Sequence, residues 1–526
     1  MPSRLKNLIV FLLLLTPSAQ FAWRNRDMPE FAALHDDGLF YVSAKSLATN
    51  NGYRVPSLPE NPSQTKFPPL YPLLLSLVWL VNPAFPTNLA LATLLCWITL
   101  ACGLCLARLL YKSDGFSEGR TWLLVGLLAF SPYLVLFGST MFSEMVFTCF
   151  VLGALILGRR DGDKAILAAA ALALCAYWTR TAGIALLVAI PAWLLWKRER
   201  RKAFLFAAVM LPGVVAWSLW VRLHLLPSSD PTLIYYTDYL TFERLNIDFT
   251  NLSVVLWKNV DQILYSIGSL ALPQLVANLP VKILTQVLGV AMISGVIRLV
   301  RRGIAVDYAL FALVSCGILA VWHYPANERM ILPMAPLFLA GFLTECEHLW
   351  NMFRPALKHK DASQRVAAVL FGGAVAMVLL ISALSQGYLT FVHLTRTNDG
   401  KRAGLADRQA AYAWIAANVP SGQAVFSYDD PLLYLYSGHR GNYLPMMPRF
   451  WYAEDHENMI APYRKIDEYC RKRGLSYVYF TTEDLSRETG EEDRAAVEKL
   501  IRRNPSLVPV FQAGIGSVYR VLPKTP

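Results

Sequence analysis

Two adjacent aspartates, Asp36 and Asp37, open a polar stretch that follows the first hydrophobic segment of the chain. An aspartate just before a helix can cap it, because its carboxylate accepts backbone N–H groups and an anion suits that end of the helix dipole. Capping accounts for one aspartate better than for two adjacent ones. We therefore expect at least one of them to act as a general base, or as a metal ligand, at a membrane surface.

A third carboxylate, Glu144, follows Ser143 near one end of an apolar segment. On insertion scales, a carboxylate that faces lipid one turn inside the hydrocarbon costs up to about 3 kcal/mol. We therefore expect Glu144 to face the interior of a helix bundle or a polar cavity. An interhelical hydrogen bond is the alternative role, and we favour a place in a functional site.

Basic side chains and a histidine occur at the ends of other apolar segments. Arg180 lies in a tight hairpin between two of them, and His323 and Arg329 belong to a short turn before another. Lys66 lies in the polar stretch that the aspartates open. Such cations would hold a phosphate, arginine as a planar fork and lysine as a point charge. Snorkelling of basic side chains at the ends of membrane segments is the alternative for Lys66 and Arg329.

The composition is that of a membrane protein with many spans. Of the 526 residues, 55% are hydrophobic and only 16% are charged, which is too apolar for a soluble protein. The net charge is +12. The basic residues form short runs between apolar segments and no basic groove with interleaved aromatic residues, so we expect no nucleic acid partner. The eight cysteines have no zinc-binding spacing.

The apolar segments predict a polytopic α-helical membrane protein with about eleven transmembrane helices. We favour the first segment as an uncleaved span over a cleaved signal peptide, although small residues near its end would suit cleavage. The predicted spans are residues 7–23, 87–110, 121–138, 141–158, 165–178, 183–196, 203–221, 281–300, 306–322, 330–346 and 366–392.

The orientation depends on residues 68–81, an apolar segment of 14 residues. At about 1.5 Å per residue its helix falls short of the ~30 Å hydrocarbon core. If it lies along the outer surface, the basic loops at 159–164, 197–202, 299–302 and 358–360 all fall inside, as the positive-inside rule favours. The same orientation places these candidate residues on one outer face: Asp36, Asp37, Lys66, Glu144, Arg180, His323 and Arg329.

The predicted topology divides the chain into a membrane domain, residues 1–394, and a small α/β domain outside, residues 395–526. The first outer loop, residues 25–86, carries the aspartate pair and is expected to contain juxtamembrane helices. In the second outer loop, residues 223–280, the stretch 261–279 predicts an interfacial or re-entrant piece. In the outer domain, helices are predicted at 406–418, 463–473 and 491–503, and strands at 423–427, 475–480, 508–512 and 517–522.

Five segments, in order along the chain, resemble the GT-C superfamily of membrane glycosyltransferases. They are HDDGLFYVSAKSLATNNGY, KFPPLYPLLLSLVWL, SPYLVLFGSTMFSEMVF, YWTRTAGIALL and ERMILPMAPLFLAG. The resemblance covers about residues 5–350, and it is strongest to bacterial proteins similar to protein O-mannosyltransferases and lipid A aminoarabinose transferases. The tail segment AYAWIAANVPSGQAVFSYDDPLLYLYSGHRG is also similar to the start of the outer domain of such enzymes.

The resemblance implies an inverting transfer of a sugar from a polyprenyl-phosphate carrier, with an acidic residue of the first outer loop deprotonating the acceptor. Asp36, Asp37 and Tyr41 occupy the places of the family's first-loop motif. Many relatives have Glu where this chain has Asp, so which aspartate is the base stays open. Arg180 and Arg329 resemble positions that contact the carrier phosphate. No P-loop occurs, so we expect no cofactor, and dependence on a divalent metal stays open.

We expect a glycosyltransferase of the cytoplasmic (inner) membrane with its active site on the outer face. Its partners would be a polyprenyl-phosphate sugar donor, membrane lipids, and a lipid, glycan or protein acceptor. A translocator of lipid-linked sugars is one alternative, but it needs a polar path across the bilayer, and the inner halves of the spans carry few polar groups. A non-enzymatic scaffold for envelope glycan assembly is another, and it leaves the outer carboxylates unexplained.

Overall fold

A computed structural model describes residues 3–32, 35–274, 278–355, 357, 362–486 and 488–524. The basic loop at 358–360, predicted to be cytoplasmic, lies outside these residues. Leucine, alanine and other strong helix formers fill the apolar runs, so these runs are helical. The helices up to residue 418 are α1 Ser3–Leu14, α2 Thr16–Arg24, α3 Asp36–Ala48, α4 Leu70–Val81, α5 Leu89–Ser113, α6 Glu118–Ala129, α7 Pro132–Phe137, α8 Glu144–Gly158, α9 Asp163–Thr179, α10 Ile184–Trp196, α11 Arg200–His224, α12 Pro231–Thr237, α13 Tyr239–Asn246, α14 Leu252–Ser269, α15 Leu279–Arg301, α16 Val306–Ala320, α17 Glu328–Ile331, α18 Ala335–Phe353, α19 Ala362–Tyr388 and α20 Leu394–Asn418.

Helical stretches long and apolar enough to cross a membrane confirm a multi-pass membrane protein. Within the described residues, six stretches meet both conditions: Arg4–Arg24, Leu89–Ser113, Arg200–His224, Leu279–Arg301, Glu328–Phe353 and Ala362–Asn418. The predicted span at 121–138 is divided into α6 and α7, because proline at position 132 disfavours helix at the residue before it. The count of eleven spans stays a prediction.

The first loop, residues 25–86, contains the short helices α3 and α4. α4 packs on α3 with a face that buries Leu75 and Val78. Trp79 on α4 donates a hydrogen bond from Nε1 to the carbonyl of Tyr41 on α3, at 3.1 Å. In the second loop, residues 223–280, α14 begins before the piece predicted at 261–279 and ends at Ser269. Only the first part of that piece, up to Ser269, therefore belongs to α14. The first loop thus fixes α3, with its two aspartates, on a packed platform.

After residue 418 the chain forms a five-stranded sheet with helices around it. The elements are β1 Ala424–Ser427, α21 Asp430–Ser437, β2 Gly441–Asn442, α22 Pro448–Ala453, α23 His456–Ile460, α24 Ile466–Arg473, β3 Leu475–Thr481, α25 Glu491–Arg503, β4 Leu507–Ala513 and β5 Gly516–Val521. The strand order is β2-β1-β3-β5-β4, with β2, β1 and β3 parallel and the other two pairings antiparallel. The four predicted strands are present, whereas α21, α22, α23 and β2 were not predicted.

The last membrane helix continues into this C-terminal region without a break. α19 and α20 are joined by a π turn at Leu389–His393, so helix runs through the predicted boundary at 394 and 395, which stays a prediction. The C-terminal region packs on the first loop: Gly441 N donates to the carbonyl of Ser57 at 2.8 Å. At Gly38 a Cβ would lie 2.8 Å from Cβ of Pro431, so only glycine allows α3 and α21 to approach this closely.

Candidate active site

A cavity of about 460 Å³ lies where the helix bundle, the two loops and the C-terminal region meet. Its polar side chains include Asp36 from the first loop and Glu144, Arg180 and Arg329 from the bundle. Lys66 also borders it. The structure therefore brings together five of the eight residues that the sequence marked as candidates.

Asp36 is held in the cavity by two cations. Arg329 donates from Nη2 to Asp36 Oδ2 at 2.9 Å, and Lys66 Nζ lies 3.9 Å from Oδ1. Burial disfavours ionisation of Asp36, but the charges of Arg329 and Lys66 outweigh burial and lower its pKa. Asp36 is therefore a carboxylate, able to accept a proton and paired with Arg329 and Lys66.

Glu144 joins two arginines at the start of α8. Arg180 donates from Nη1 to Glu144 Oε1 at 2.5 Å and to Ser143 Oγ at 3.0 Å. Arg329 Nε lies 3.0 Å from the same carboxylate oxygen as an ion pair. Glu144 is almost fully buried, and its other oxygen, Oε2, has no hydrogen-bond partner among the described residues. The expectation that Glu144 faces the interior of the bundle is met by this contact pattern.

Lys66 is buried against aromatic rings. Its Nζ lies 3.4 Å from the centroid of the Tyr235 ring, close enough for a cation–π interaction. Burial lowers the pKa of Lys66 to about 7, although the negative charge of Asp36 acts in the opposite direction. Such a lysine changes its charge near neutral pH, unlike either arginine.

Asp37 and Tyr41 lie on the other side of α3. Successive residues of a helix are about 100° apart, so adjacent aspartates face different directions, and residues four apart share a face. Asp37 Oδ2 accepts a hydrogen bond from Ala32 N at 3.0 Å, and burial raises the pKa of Asp37 to about 7. Tyr41 is fully buried between the rings of Phe31 and Trp79. Neither side chain borders the cavity.

Neither aspartate caps α3. The N-cap residue is His35, whose side chain makes no capping bond. Asp36 and Asp37 are the first two helical residues, where a negative charge favours the helix dipole. Neither aspartate is therefore the N-cap residue of α3. Of the two, Asp36 borders the cavity and Asp37 does not.

His323 lies behind the cavity wall rather than in it. Its ring is buried, with Nε2 3.2 Å from the Tyr239 hydroxyl and Nδ1 3.5 Å from Glu243 Oε1. Burial lowers the pKa of His323. Its neighbours Trp322 and Tyr324 border the cavity, so the predicted turn does reach the site.

The cavity residues that were not predicted as site residues include His35, Tyr428 and Glu488. His35 directly precedes the two aspartates in the sequence, and this position was the one sign that it could belong to the site. Glu488 lies in a polar loop between β3 and α25 that is indistinguishable from a solvated turn in the sequence. Burial raises its pKa to about 7.

No group of three or more His, Cys, Asp or Glu side chains suited to a metal ion occurs in the described part of the chain. The cavity carboxylates Asp36 and Glu144 are instead each bound to arginine. The expectations about cofactor and metal stay predictions.

No family model and no curated protein matches the chain. Among solved structures it is similar to ArnT from Cupriavidus metallidurans. The apo form has 12% identity and a TM-score of 0.45, and the form bound to undecaprenyl phosphate has 14% and 0.48. Each alignment covers 92% of this chain and 93% of that chain. It is also similar to the arabinofuranosyltransferase AftD from Mycobacteria, with 15% identity and a TM-score of 0.43, over 97% of this chain and 40% of that one.

AftD is named an arabinofuranosyltransferase, and the sequence of this chain resembles a superfamily of glycosyltransferases. With identities of 12–15% and TM-scores below 0.5, these likenesses carry no argument about what this chain does. The function proposed next rests on the cavity itself.

Proposed function

We propose that the protein is a glycosyltransferase that moves a sugar from a polyprenyl-phosphate carrier to an acceptor hydroxyl, with inversion at the anomeric carbon. One observation carries the proposal: the cavity places a carboxylate, Asp36, beside three cations, Lys66, Arg180 and Arg329. A base and a phosphate site in one cavity are the two functions that this transfer requires.

The phosphate would lie near Arg180. Within the described residues, only Nη1 of Arg180 makes hydrogen bonds, so the rest of its guanidinium can donate to a ligand. Thr181 and Ala182, in the 3-10 turn that leads into α10, also border the cavity. The start of a helix favours anions, because its backbone N–H groups and dipole are positive there.

The cavity also has an apolar lining, which suits an isoprenoid chain. Side chains from α8, α16 and the segment after α17 contribute to it, namely Phe147, Phe311, Ile318, Leu319 and Met334. A ligand with a phosphate head and a hydrocarbon tail matches this combination of cations and apolar side chains better than a nucleotide sugar, whose base and ribose would need polar partners.

The proposed step uses Asp36 as the base. The acceptor oxygen attacks the anomeric carbon from the face opposite the carrier phosphate, the bond from that carbon to the phosphate oxygen breaks, and Asp36 takes the hydroxyl proton. The cations stabilise the charge that develops on the departing phosphate. A phosphate bound to Arg329 would also weaken the pair of Arg329 with Asp36, which would raise the basicity of Asp36 when the donor is present.

The acceptor is a lipid, a glycan or a protein, and the reaction takes place on the outer face of the inner membrane. The positive-inside pattern supports this side. A cysteine probe at position 200, at the start of α11 and within the basic stretch 197–202, should react only with reagents that enter from the cytoplasm. Labelling of that probe by an impermeant outside reagent would reverse the orientation.

The test is transfer by purified protein. Full-length protein in nanodiscs, given short-chain polyprenyl-phosphate mannose or glucose and extracted membrane acceptors, should release polyprenyl phosphate and form a product of inverted anomeric configuration by NMR. The Asp36→Asn variant is the matched control. Release at the same rate by wild type and Asp36→Asn, or retention of configuration, would refute the proposed mechanism.

A further inference from the structure

His35 occupies an unusual backbone position directly beside the proposed base. It has φ 60° and ψ −43°, a left-handed region that residues with a Cβ seldom adopt. Its N–H donates to the carbonyl of Ala32 at 3.0 Å, and its carbonyl accepts from Leu39 N at 2.8 Å. Strained residues of this kind concentrate at functional sites, where the surrounding structure holds them in place.

The imidazole of His35 borders the cavity with both nitrogens unpaired. The side chain is 3% exposed, and neither Nδ1 nor Nε2 has a hydrogen-bond partner among the described residues. The ring stacks on Tyr443 at 4.3 Å and meets Tyr428 edge-on at 4.5 Å. Buried polar atoms nearly always have partners, so the two unpaired nitrogens at the cavity wall are available to hydrogen-bond a ligand that enters the cavity.

The ring is neutral, which defines the ligand chemistry. Burial and the nearby charge of Lys66 lower the pKa of His35 to about 3. A neutral imidazole has one N–H donor and one acceptor nitrogen. This pair matches hydroxyl groups, which both donate and accept, and offers no charge to a phosphate.

The neighbours of His35 extend the same chemistry. Glu488 borders the cavity as Tyr428 does, and its Oε2 accepts a hydrogen bond from Met446 N at 3.0 Å. Tyr235 and Tyr324 border the cavity as well and present aromatic surface. Polar groups between aromatic rings suit a sugar ring, which has hydroxyls at its edge and C–H groups on its faces.

We propose that His35, with Tyr428 and Glu488 beside it, forms a subsite that binds the hydroxyl groups of a sugar ring. The subsite belongs to the same cavity, so its role in selecting the sugar rests on the function proposed above. A site whose buried polar groups pair with a substrate hydroxyl discriminates strongly against analogues that lack it, because those groups are then left unpaired. His35 is thus a specificity-determining residue.

The first test does not depend on turnover. His35→Phe keeps a flat ring for Tyr443 but removes both nitrogens, whereas His35→Gln keeps a donor and an acceptor. In the full-length protein without ligand, His35→Phe should raise the melting temperature, since it deletes unpaired polar atoms. Methyl mannoside or methyl glucoside should raise the melting temperature of wild type and, in part, of His35→Gln, but not of His35→Phe. Equal shifts in wild type and His35→Phe, or no shift in wild type, would overturn the subsite.

The second test identifies which sugar is bound. With polyprenyl-phosphate mannose and its monodeoxy analogues as donors, wild type should have its highest kcat/KM for the complete sugar. His35→Phe should lose about tenfold or more of kcat/KM for the complete sugar. For the one deoxy analogue that lacks the bound hydroxyl, the kcat/KM of His35→Phe should equal that of wild type. A change confined to acceptor KM would assign the subsite to an acceptor sugar. If wild type transfers sugar but His35→Phe has unchanged kcat/KM and selectivity for donor and acceptor, the subsite is wrong and the proposed function stands. If neither transfers sugar while the glycoside shifts persist, the proposed function fails and the subsite remains.

Discussion

Helix α8 has a buried cluster of arginine and carboxylate side chains at each end. At its C-terminal end Arg159 binds Asp307 through two hydrogen bonds, of 2.7 and 2.8 Å, and Asp114 through a third of 2.7 Å. At its N-terminal end, Glu144 shares one oxygen between Arg180 and Arg329 and leaves the other unpaired. The first cluster is satisfied internally, and the second keeps unused donors and acceptors at a cavity.

The comparison shows how two sites of similar composition differ in role. Arg159, whose three nitrogens all make hydrogen bonds, is not available to a ligand. Its loss would leave Asp114 and Asp307 without their shared cation, so that their negative charges would repel each other. An arginine with free N–H groups beside a cavity can exchange partners. Hydrogen-bond satisfaction separates a structural cluster from a binding site better than residue type does.

The largest expected effect is on stability, at the satisfied cluster. Arg159→Ala leaves Asp114 and Asp307 buried and unpaired, and breaking such a pair costs about 3–5 kcal/mol. The melting temperature of purified protein in detergent should fall by several degrees, whereas turnover per folded molecule should stay near wild type. The neighbouring Arg160 is exposed, so Arg160→Ala is the matched control and should change little. A wild-type melting temperature for Arg159→Ala would make the two clusters equivalent.

The next effect is on chemistry, at the cavity end. Asp36→Asn should reduce turnover per folded molecule by about 100-fold or more, the scale for loss of a general base, and it should also lower stability because it weakens the ion pairs with Arg329 and Lys66. Asp37→Asn should retain turnover, because Asp37 faces away from the cavity, and its raised pKa means that the neutral amide resembles its protonated form. The measurement is initial rate with saturating polyprenyl-phosphate sugar. Wild-type rates for both variants would remove catalysis from α3 altogether.

A third effect concerns donor affinity. Arg180→Ala should weaken donor binding by about 1.5–3 kcal/mol, the range for a hydrogen bond to a charged group. Arg180→Lys should recover only part of it, since a point charge replaces a planar fork. Titration of polyprenyl phosphate by calorimetry or fluorescence measures both. Equal affinity in wild type and Arg180→Ala would show that this arginine, like Arg159, serves structure alone.

The smallest effect is a pH dependence at Lys66. A lysine is charged below its pKa, here about 7, so donor binding should be strongest near pH 6 and weaken by up to about tenfold by pH 8. Lys66→Arg remains charged throughout and should flatten this profile. Glu488 ionises over the same range and would favour the charged lysine, so Glu488→Gln should steepen it. A profile identical in wild type and Lys66→Arg would exclude Lys66 as its source.

The sequence allowed the cavity's charged residues to be grouped, because topology alone sends Asp36, Lys66, Glu144, Arg180 and Arg329 to one side. It could not separate Asp36 from Asp37, since that depends on how α3 is rotated about its axis by packing against α4 and α21. Tyr41 follows the same rotation into the packed face. These assignments require the tertiary contacts of one helix.

The contribution of the C-terminal region was beyond sequence reasoning for another reason. Tyr428 and Glu488 reach the cavity through docking of two regions hundreds of residues apart, and no local pattern encodes that contact. Some missed elements did carry a signal. Pro431 and Pro448 lie in the first turns of α21 and α22, where proline is favoured, and could have marked both helices.

The unbroken helix from Ala362 to Asn418 has a consequence for biogenesis. The ribosome must complete this helix before the segment that supplies Tyr428 and Glu488 can emerge, fold and close over α3. The membrane bundle would therefore be inserted with its charged groups open to solvent, and the cavity wall would be completed only after the chain had been synthesised through Glu488. Chains released early would carry the carboxylate and its cations without the surface that encloses them.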